Sequence, residues 1–130
     1  MKKGFEELLR ETVRGIILRD EPLSRHTSLR VGGPADWFIS PADSEDLKGL
    51  LGLLSVHGMP RLIIGGGFNL LVRDRGFRGA VISLDRFDRL DMVDNHLLRT
   101  EAGAVNLALV NFALERGLSG LEFLVGIPGR

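Results

Sequence analysis

Cysteine is absent from the 130 residues, which excludes disulfides, thiolate nucleophiles and Cys-ligated zinc or iron–sulfur centres. Net charge is absent too. The 17 Lys and Arg balance 17 Asp and Glu, so the chain lacks the basic excess that a nucleic-acid or anionic-membrane surface requires. The longest apolar runs are about five residues, against the ~20 needed to span a bilayer. The start, "MKKGFEELLRE", follows two lysines with acids instead of an apolar segment, so it does not read as a secretory signal. No repeat, low-complexity tract or internal linker stands out. The three histidines, His26, His57 and His96, lack metal-ligand spacing, and no metal site is expected. These absences, with a hydrophobic content of 44%, predict a soluble, cytoplasmic globular protein long enough for one ordinary domain.

The residues that are present are patterned. Phe5, Leu8, Leu9, Val13, Ile16 and Ile17 recur at helical spacing, with acids early and Arg10 and Arg14 later. This predicts an amphipathic helix of about four turns and a linker over residues 1–22. Such a helix covers its own domain or docks a partner. Pro22, Gly32-Gly33-Pro34 and Pro41 punctuate the next stretch of chain, with "ADWFIS" as a strand. If it is extended, Trp37 and Phe38 face opposite sides. Asp43 suits a helix N-cap; Leu47, Leu50, Leu51 and Leu54 share a face, and Gly58 and Pro60 end the helix. "RLIIGG" reads as a short strand, completing a right-handed crossover unit in which 36–40 and 62–64 are expected as neighbouring parallel strands. "GAVISL" is a further strand, and "RLDMV" with "HLLRTEAG" makes a hairpin around Asp94-Asn95. A last helix runs from about Val105 to Arg116 and stops at Gly117. The fold class is α/β.

The chemistry-bearing candidate is "LIIGGGFNLLV", residues 62–72. It fails the P-loop pattern, since no lysine follows the glycines, and the dinucleotide fingerprint, whose sixth position is here Leu70. A strand followed by bare backbone remains. Successive N–H groups there form an anion-binding nest, or the glycines pack closely beneath another element. "AGA" (102–104) and "VGIPG" (125–129) either line the same groove or are ordinary connections. Asp85, Asp88, Asp91 and Asp94 are interleaved with Arg86 and Arg89, whose balancing charge favours a solvated charged edge over a metal site. His57 falls in a helix's last turn, suited to the dipole. Ser24, Thr27, Ser28 and Ser119 have no recognisable base, so no catalytic residue is assigned.

Three blocks, "TSLRVGGPADWF", "IIGGGFNLLVRDRGFRGAVISL" and "GLSGLEFLVGIPG", stand in an order and spacing that resemble the N-terminal FAD-binding half of the UDP-N-acetylenolpyruvoylglucosamine reductase (MurB) family. The resemblance runs over nearly the whole chain from Leu23, and implies a domain at 23–130 of the FAD-binding type found in vanillyl-alcohol-oxidase and p-cresol-methylhydroxylase (PCMH) flavoproteins. That fold has a small parallel sheet with flanking helices, followed by the start of a second subdomain. By the same resemblance, Gly65, Gly66, Gly67, Phe68 and Asn69, with Leu70 next in the chain, wrap the FAD pyrophosphate. Gly103 and Ala104, then Gly126, Ile127, Pro128 and Gly129, lie along the flavin. Phe68 stands where the family usually has serine, and His26 where it often has asparagine. The family's activity is reduction of the enolpyruvyl group of a UDP-sugar in peptidoglycan precursor synthesis, with NADPH as reductant. Its catalytic serine, arginine and glutamate come after the last glycine turn, so the 130 residues are expected to be a truncated portion without turnover and with weak or absent FAD binding. The resemblance implies a nucleotide-sugar substrate, no nucleic acid and no membrane; the sequence does not reveal an oligomeric state. Another FAD-dependent oxidoreductase of the superfamily, or a non-catalytic interaction domain, are the competing readings.

Overall fold

The computed structural model describes residues 4–130; Met1 to Lys3, the start of the expected N-terminal segment, lie outside the described residues. Helix α1 spans Phe5–Thr12 and strand β1 Ile16–Pro22, followed by a 3₁₀ turn at Leu23–Arg25. Strand β2 (Pro34–Ser40), helix α2 (Ser44–Val56), strand β3 (Arg61–Ile64) and strand β4 (Phe77–Ser83) complete the first layer. Strands β5 (Leu90–Met92) and β6 (Leu98–Thr100), helix α3 (Asn106–Glu115) and a 3₁₀ turn at Glu122–Leu124 come after them.

The predicted four-turn N-terminal helix is corrected here. It ends at Thr12, and Ile16 and Ile17 belong to a strand, not to a helix or linker. Ile16 pairs with Ser40, Ile17 with Ile39 and Leu18 with Phe38, antiparallel along β2. Two β-branched residues suit that pleated surface. The corner between α1 and β1 is fixed by one carboxylate. Asp46, fully buried in the first turns of α2, accepts N–H groups from Arg14 at 2.8 Å, Gly15 at 3.0 Å and Ala42 at 2.8 Å. Those donors would otherwise be orphaned by the helix end and the turns around it. Asp43 caps α2 as expected, accepting the Asp46 N–H at 2.9 Å.

The four-stranded sheet has the order β1-β2-β4-β3, with β2, β4 and β3 parallel. The strands at 36–40 and 62–64 are therefore not neighbours as expected. β4 lies between them, because its last five residues are buried, which demands a central position, whereas the mostly exposed β3 suits an edge. On one face Trp37, Ile39, Ala80 and Ile82 pack against Leu9 and Val13 of the N-terminal segment and Leu50 and Leu54 of α2. α1 thus covers its own domain. On the other face Phe38 and Val81 join Leu23, Ala35 and Ile64, roofed by Leu70 and Val72 from the segment after β3 and by Phe77 at the start of β4. Trp37 and Phe38 do face opposite sides, each into a core. Fully burying a leucine such as Leu50 or Leu54 contributes about 2–3 kcal/mol. Strands β5 and β6 form a separate hairpin, Leu90 facing Thr100 and Met92 facing Leu98. Its turn is held by Asp94, whose carboxylate accepts the N–H groups of His96 and Leu97.

Candidate functional site

The parallel strands β3 and β4 run in register, Ile64 beside Ser83, so the glycine segment and Asp85 emerge from the same end of the sheet. Crevices at the carboxyl ends of parallel strands are where ligands of α/β sheets sit. The loop 65–69 is anchored on its carbonyl side. The Ser28 N–H donates to the Gly67 carbonyl at 3.0 Å, and the Ser28 hydroxyl to the Phe68 carbonyl at 3.3 Å. Gly67 has φ +69°, and a β-carbon there would overlap the His26 carbonyl, so only glycine passes under that strap. Its role thus includes the close packing that the sequence left open. The donor side is different. Among the described residues, no backbone N–H from Gly65 to Asn69 meets a protein acceptor.

Three clefts meet around this loop. One of about 220 Å³ is lined by residues 62–70 with Gly129 and Arg130. A second, of about 400 Å³, is lined by Arg25, His26, Ser28 and Arg30, by Ser83 and Asp85, and by Gly65 and Gly66. The third, of about 340 Å³ and mostly apolar, runs from Phe68 to Val105, Leu107, Leu124 and the 126–129 turn. Phe68 borders all three. The residue is 46% exposed, and its ring lies over Gly66. The 126–129 turn is tied to the start of α3, with the Asn106 N–H donating to the Gly129 carbonyl and its side-chain amide to the Ile127 carbonyl, both at 3.2 Å.

The structure therefore brings Gly65, Gly66, Gly67, Phe68, Asn69 and Leu70 together with Gly126, Ile127, Pro128 and Gly129. Gly103 and Ala104 stand apart. Both are buried and line none of these clefts; their N–H groups donate to the Phe87 carbonyl at 2.7 Å and the Glu101 carbonyl at 3.1 Å. His26 stacks on Phe38 with ring centroids 3.8 Å apart and bonds the buried Glu21 at 3.0 Å. His57 bonds the Leu53 carbonyl at 2.9 Å, the helix-end role expected of it.

Residues missed in the sequence are Arg25, Arg30, Ser83 and Asp85. Of the acidic run, Asp85 is not simply a solvated edge residue. Its Oδ1 accepts the hydroxyls of Ser40 at 3.0 Å and Ser83 at 2.8 Å. Partial burial pushes its carboxyl up, but the two hydroxyls and the Arg130 charge outweigh that and hold it below the ordinary carboxylate range. Nothing in local spacing linked Asp85 to Ser40. Among the described residues no group of His, Asp or Glu is arranged to hold a metal ion, and no helix is long and apolar enough to cross a membrane.

An anchored loop with a row of free N–H groups, between basic and apolar walls, is suited to a dinucleotide's phosphates and a flat ring system. Residues 35–130 match the sequence profile of the FAD binding domain family. The chain belongs to the FAD-binding domain family. Within it, the MurB resemblance holds. The chain is 60% identical over 117 residues to the UDP-N-acetylenolpyruvoylglucosamine reductase of Pelobacter propionicus, a match covering 90% of this chain and 40% of the relative. The crystal structure of MurB from Thermus caldophilus superimposes with a TM-score of 0.65 at 34% identity, covering 89% of this chain and 39% of that one. p-Cresol methylhydroxylase shares the fold alone, with a TM-score of 0.65 at 12% identity, over 88% of this chain and 24% of that one. The architecture is thus the mixed α/β fold of PCMH-type FAD-binding domains. The chain spans about 40% of the length of the curated relatives it matches.

Proposed function

We propose that this chain is the cofactor-holding portion of a UDP-N-acetylenolpyruvoylglucosamine reductase, acting in the cytoplasm on a nucleotide-sugar precursor of peptidoglycan. The observation that carries this reading is the run of five N–H groups from Gly65 to Asn69 that meet no protein acceptor among the described residues, in a loop bordering two clefts, one of which is also lined by Arg25 and Arg30. These residues would hold the FAD pyrophosphate through backbone donors, which need no side-chain charge of their own. Leu70 closes the loop into the core beneath it. Gly126 to Gly129, with Val105 and Leu107, form the apolar wall suited to the flavin. Gly103 and Ala104 would contribute by close packing just before α3, where a β-carbon on Gly103 would meet the Leu84 and Phe87 carbonyls. When bound, FAD supplies two-electron transfer between NADPH and the enolpyruvyl substrate. The chain's own residues would bind and orient it, and the apolar wall would keep water from one face. The residues 1–22 and 23–130 serve one purpose in this reading, since β1 borders the same sheet. Reduction of substrate is assigned to an enzyme of the relatives' full length; the 130 residues alone are expected to bind FAD weakly and without turnover.

The test is a titration of the ¹⁵N-labelled 130-residue chain with FAD to millimolar concentration. Amide signals of Gly65 to Asn69 and Gly126 to Gly129 should move together. Movement confined to other regions, or none, would overturn the assignment. Steady NADPH oxidation by the chain with substrate present would contradict the expected lack of turnover.

A further inference from the structure

The groove offers donors and cations along most of its length, and Asp85 breaks that pattern. Asp85 lines the same cleft as Gly65, Gly66, Arg25, His26 and Arg30, and feels the charge of Arg130. Ser40 at the end of β2 and Ser83 at the end of β4 are both buried, and both aim their hydroxyls at a single oxygen, Oδ1. Two such bonds fix the rotation of the carboxylate. Both of these bonds fall on Oδ1, and no hydrogen bond from another described residue falls on Oδ2. A fixed anion beside a phosphate loop weakens phosphate binding unless the ligand offers it a donor. In a dinucleotide, the donors standing a few bonds from a phosphate are sugar or polyol hydroxyls.

We propose that Asp85 is a hydroxyl-reading residue of this groove, its Oδ2 accepting a ribose or ribityl hydroxyl adjacent to the phosphate held by Gly65 to Asn69. The proposal rests on the FAD reading of the groove. Ser40 and Ser83 are positioning residues, which orient the carboxylate and do not themselves touch the ligand. A ligand that carries phosphate but no hydroxyl meets only repulsion at this point. The right dinucleotide gains a charge-assisted hydrogen bond, equivalent to about tenfold or more in affinity.

The experiment measures affinities by amide shifts in the 130-residue chain for inorganic pyrophosphate and two matched pairs. One pair is ADP and 2′,3′-dideoxyadenosine diphosphate; the other is FMN and an analogue whose N10 chain is an unhydroxylated pentyl phosphate. In the wild type, one pair should show about a tenfold loss on removing the hydroxyls, and which pair does so identifies the sugar being read. Asp85→Asn should abolish that difference while leaving pyrophosphate affinity equal or higher. Both pairs agreeing within twofold in the wild type, while the Gly65 to Asn69 amides still move, would overturn the proposal and leave the FAD reading standing. The wild-type comparison decides even if the variant does not fold. Asp85→Asn tightening ADP and FMN as much as pyrophosphate would overturn it too, exposing a merely repulsive carboxylate. If no probe moves the loop amides, both readings fail together.

Discussion

Replacing Asp46 should do more damage than any other single polar substitution on the α-helical face. Its carboxylate is fully buried and accepts three backbone N–H groups, at 2.8, 3.0 and 2.8 Å, from two separate segments of chain. The Arg14 guanidinium adds a weaker contact at 3.8 Å. Asp46→Ala removes all three acceptor contacts, each costing about 1–3 kcal/mol when the donor is left without a partner. Water reaching the exposed flanks recovers part of this, so a net loss of about 4 kcal/mol is expected. Asp46→Asn can turn its carbonyl toward Gly15 and Ala42, which share Oδ2, and sets its amide against the Arg14 N–H. That leaves a loss of about 2 kcal/mol. Urea unfolding followed by circular dichroism reads both, since about 4 kcal/mol lowers the midpoint by roughly 2 M at the slope usual for this size. The effect also has a pH signature. Burial raises the Asp46 pKa, but the N–H groups of Ala42, Arg14 and Gly15 and the Arg14 charge outweigh it, leaving it lowered. A lowered folded pKa means stability present above the unfolded value of about 4 and lost as pH falls through the folded one. The gap between wild type and Asp46→Ala should therefore narrow in acid. A loss below about 1 kcal/mol at neutral pH, or a gap that widens in acid, would refute the reasoning.

Gly67→Ala forces a side chain into a backbone of φ +69° and onto the His26 carbonyl. It should cost about 1–3 kcal/mol and weaken pyrophosphate binding more than tenfold; a variant with native Tm and native affinity would show that the loop relaxes freely. Phe68→Ser should change pyrophosphate affinity by less than about threefold, because the donors are backbone groups and the ring lies beside them. A tenfold change in the same titration would assign the residue's side chain a direct part in anion binding.

Elements whose signals are local were legible in the sequence. The Asp43 cap, the leucine face of α2, the apolar run of β4 and the Asp94 turn each depend on residues within a few positions of one another. Those depending on distant partners were not. Ile16 and Ile17 fit a helical period as well as a strand, and only pairing with Ile39 and Ser40 decides between them. The place of β4 between β2 and β3 stems from burial on both faces, which no window of residues displays. The site divides in the same way. A run of glycines after a strand announces exposed backbone donors, whereas Arg25, Arg30 and Asp85 enter the groove only because β1, β2 and β4 converge there. Asp85 is the clearest case, since its Ser40 partner is 45 residues away.

The mixed sheet leaves two outer strands, and their make-up bears on how the chain behaves at high concentration. β3 presents only four residues, too few for a long stack of added strands. β1 is longer, but Asp20 in its middle adopts φ +51°, and the paired rows skip from Arg19 to Glu21. A charged run of Arg19, Asp20 and Glu21 with a left-handed residue at its centre cannot template a flat ladder for another copy. Edge-to-edge growth, the common route from a partly covered β-layer to fibrils, is thus interrupted on one side and starved of length on the other.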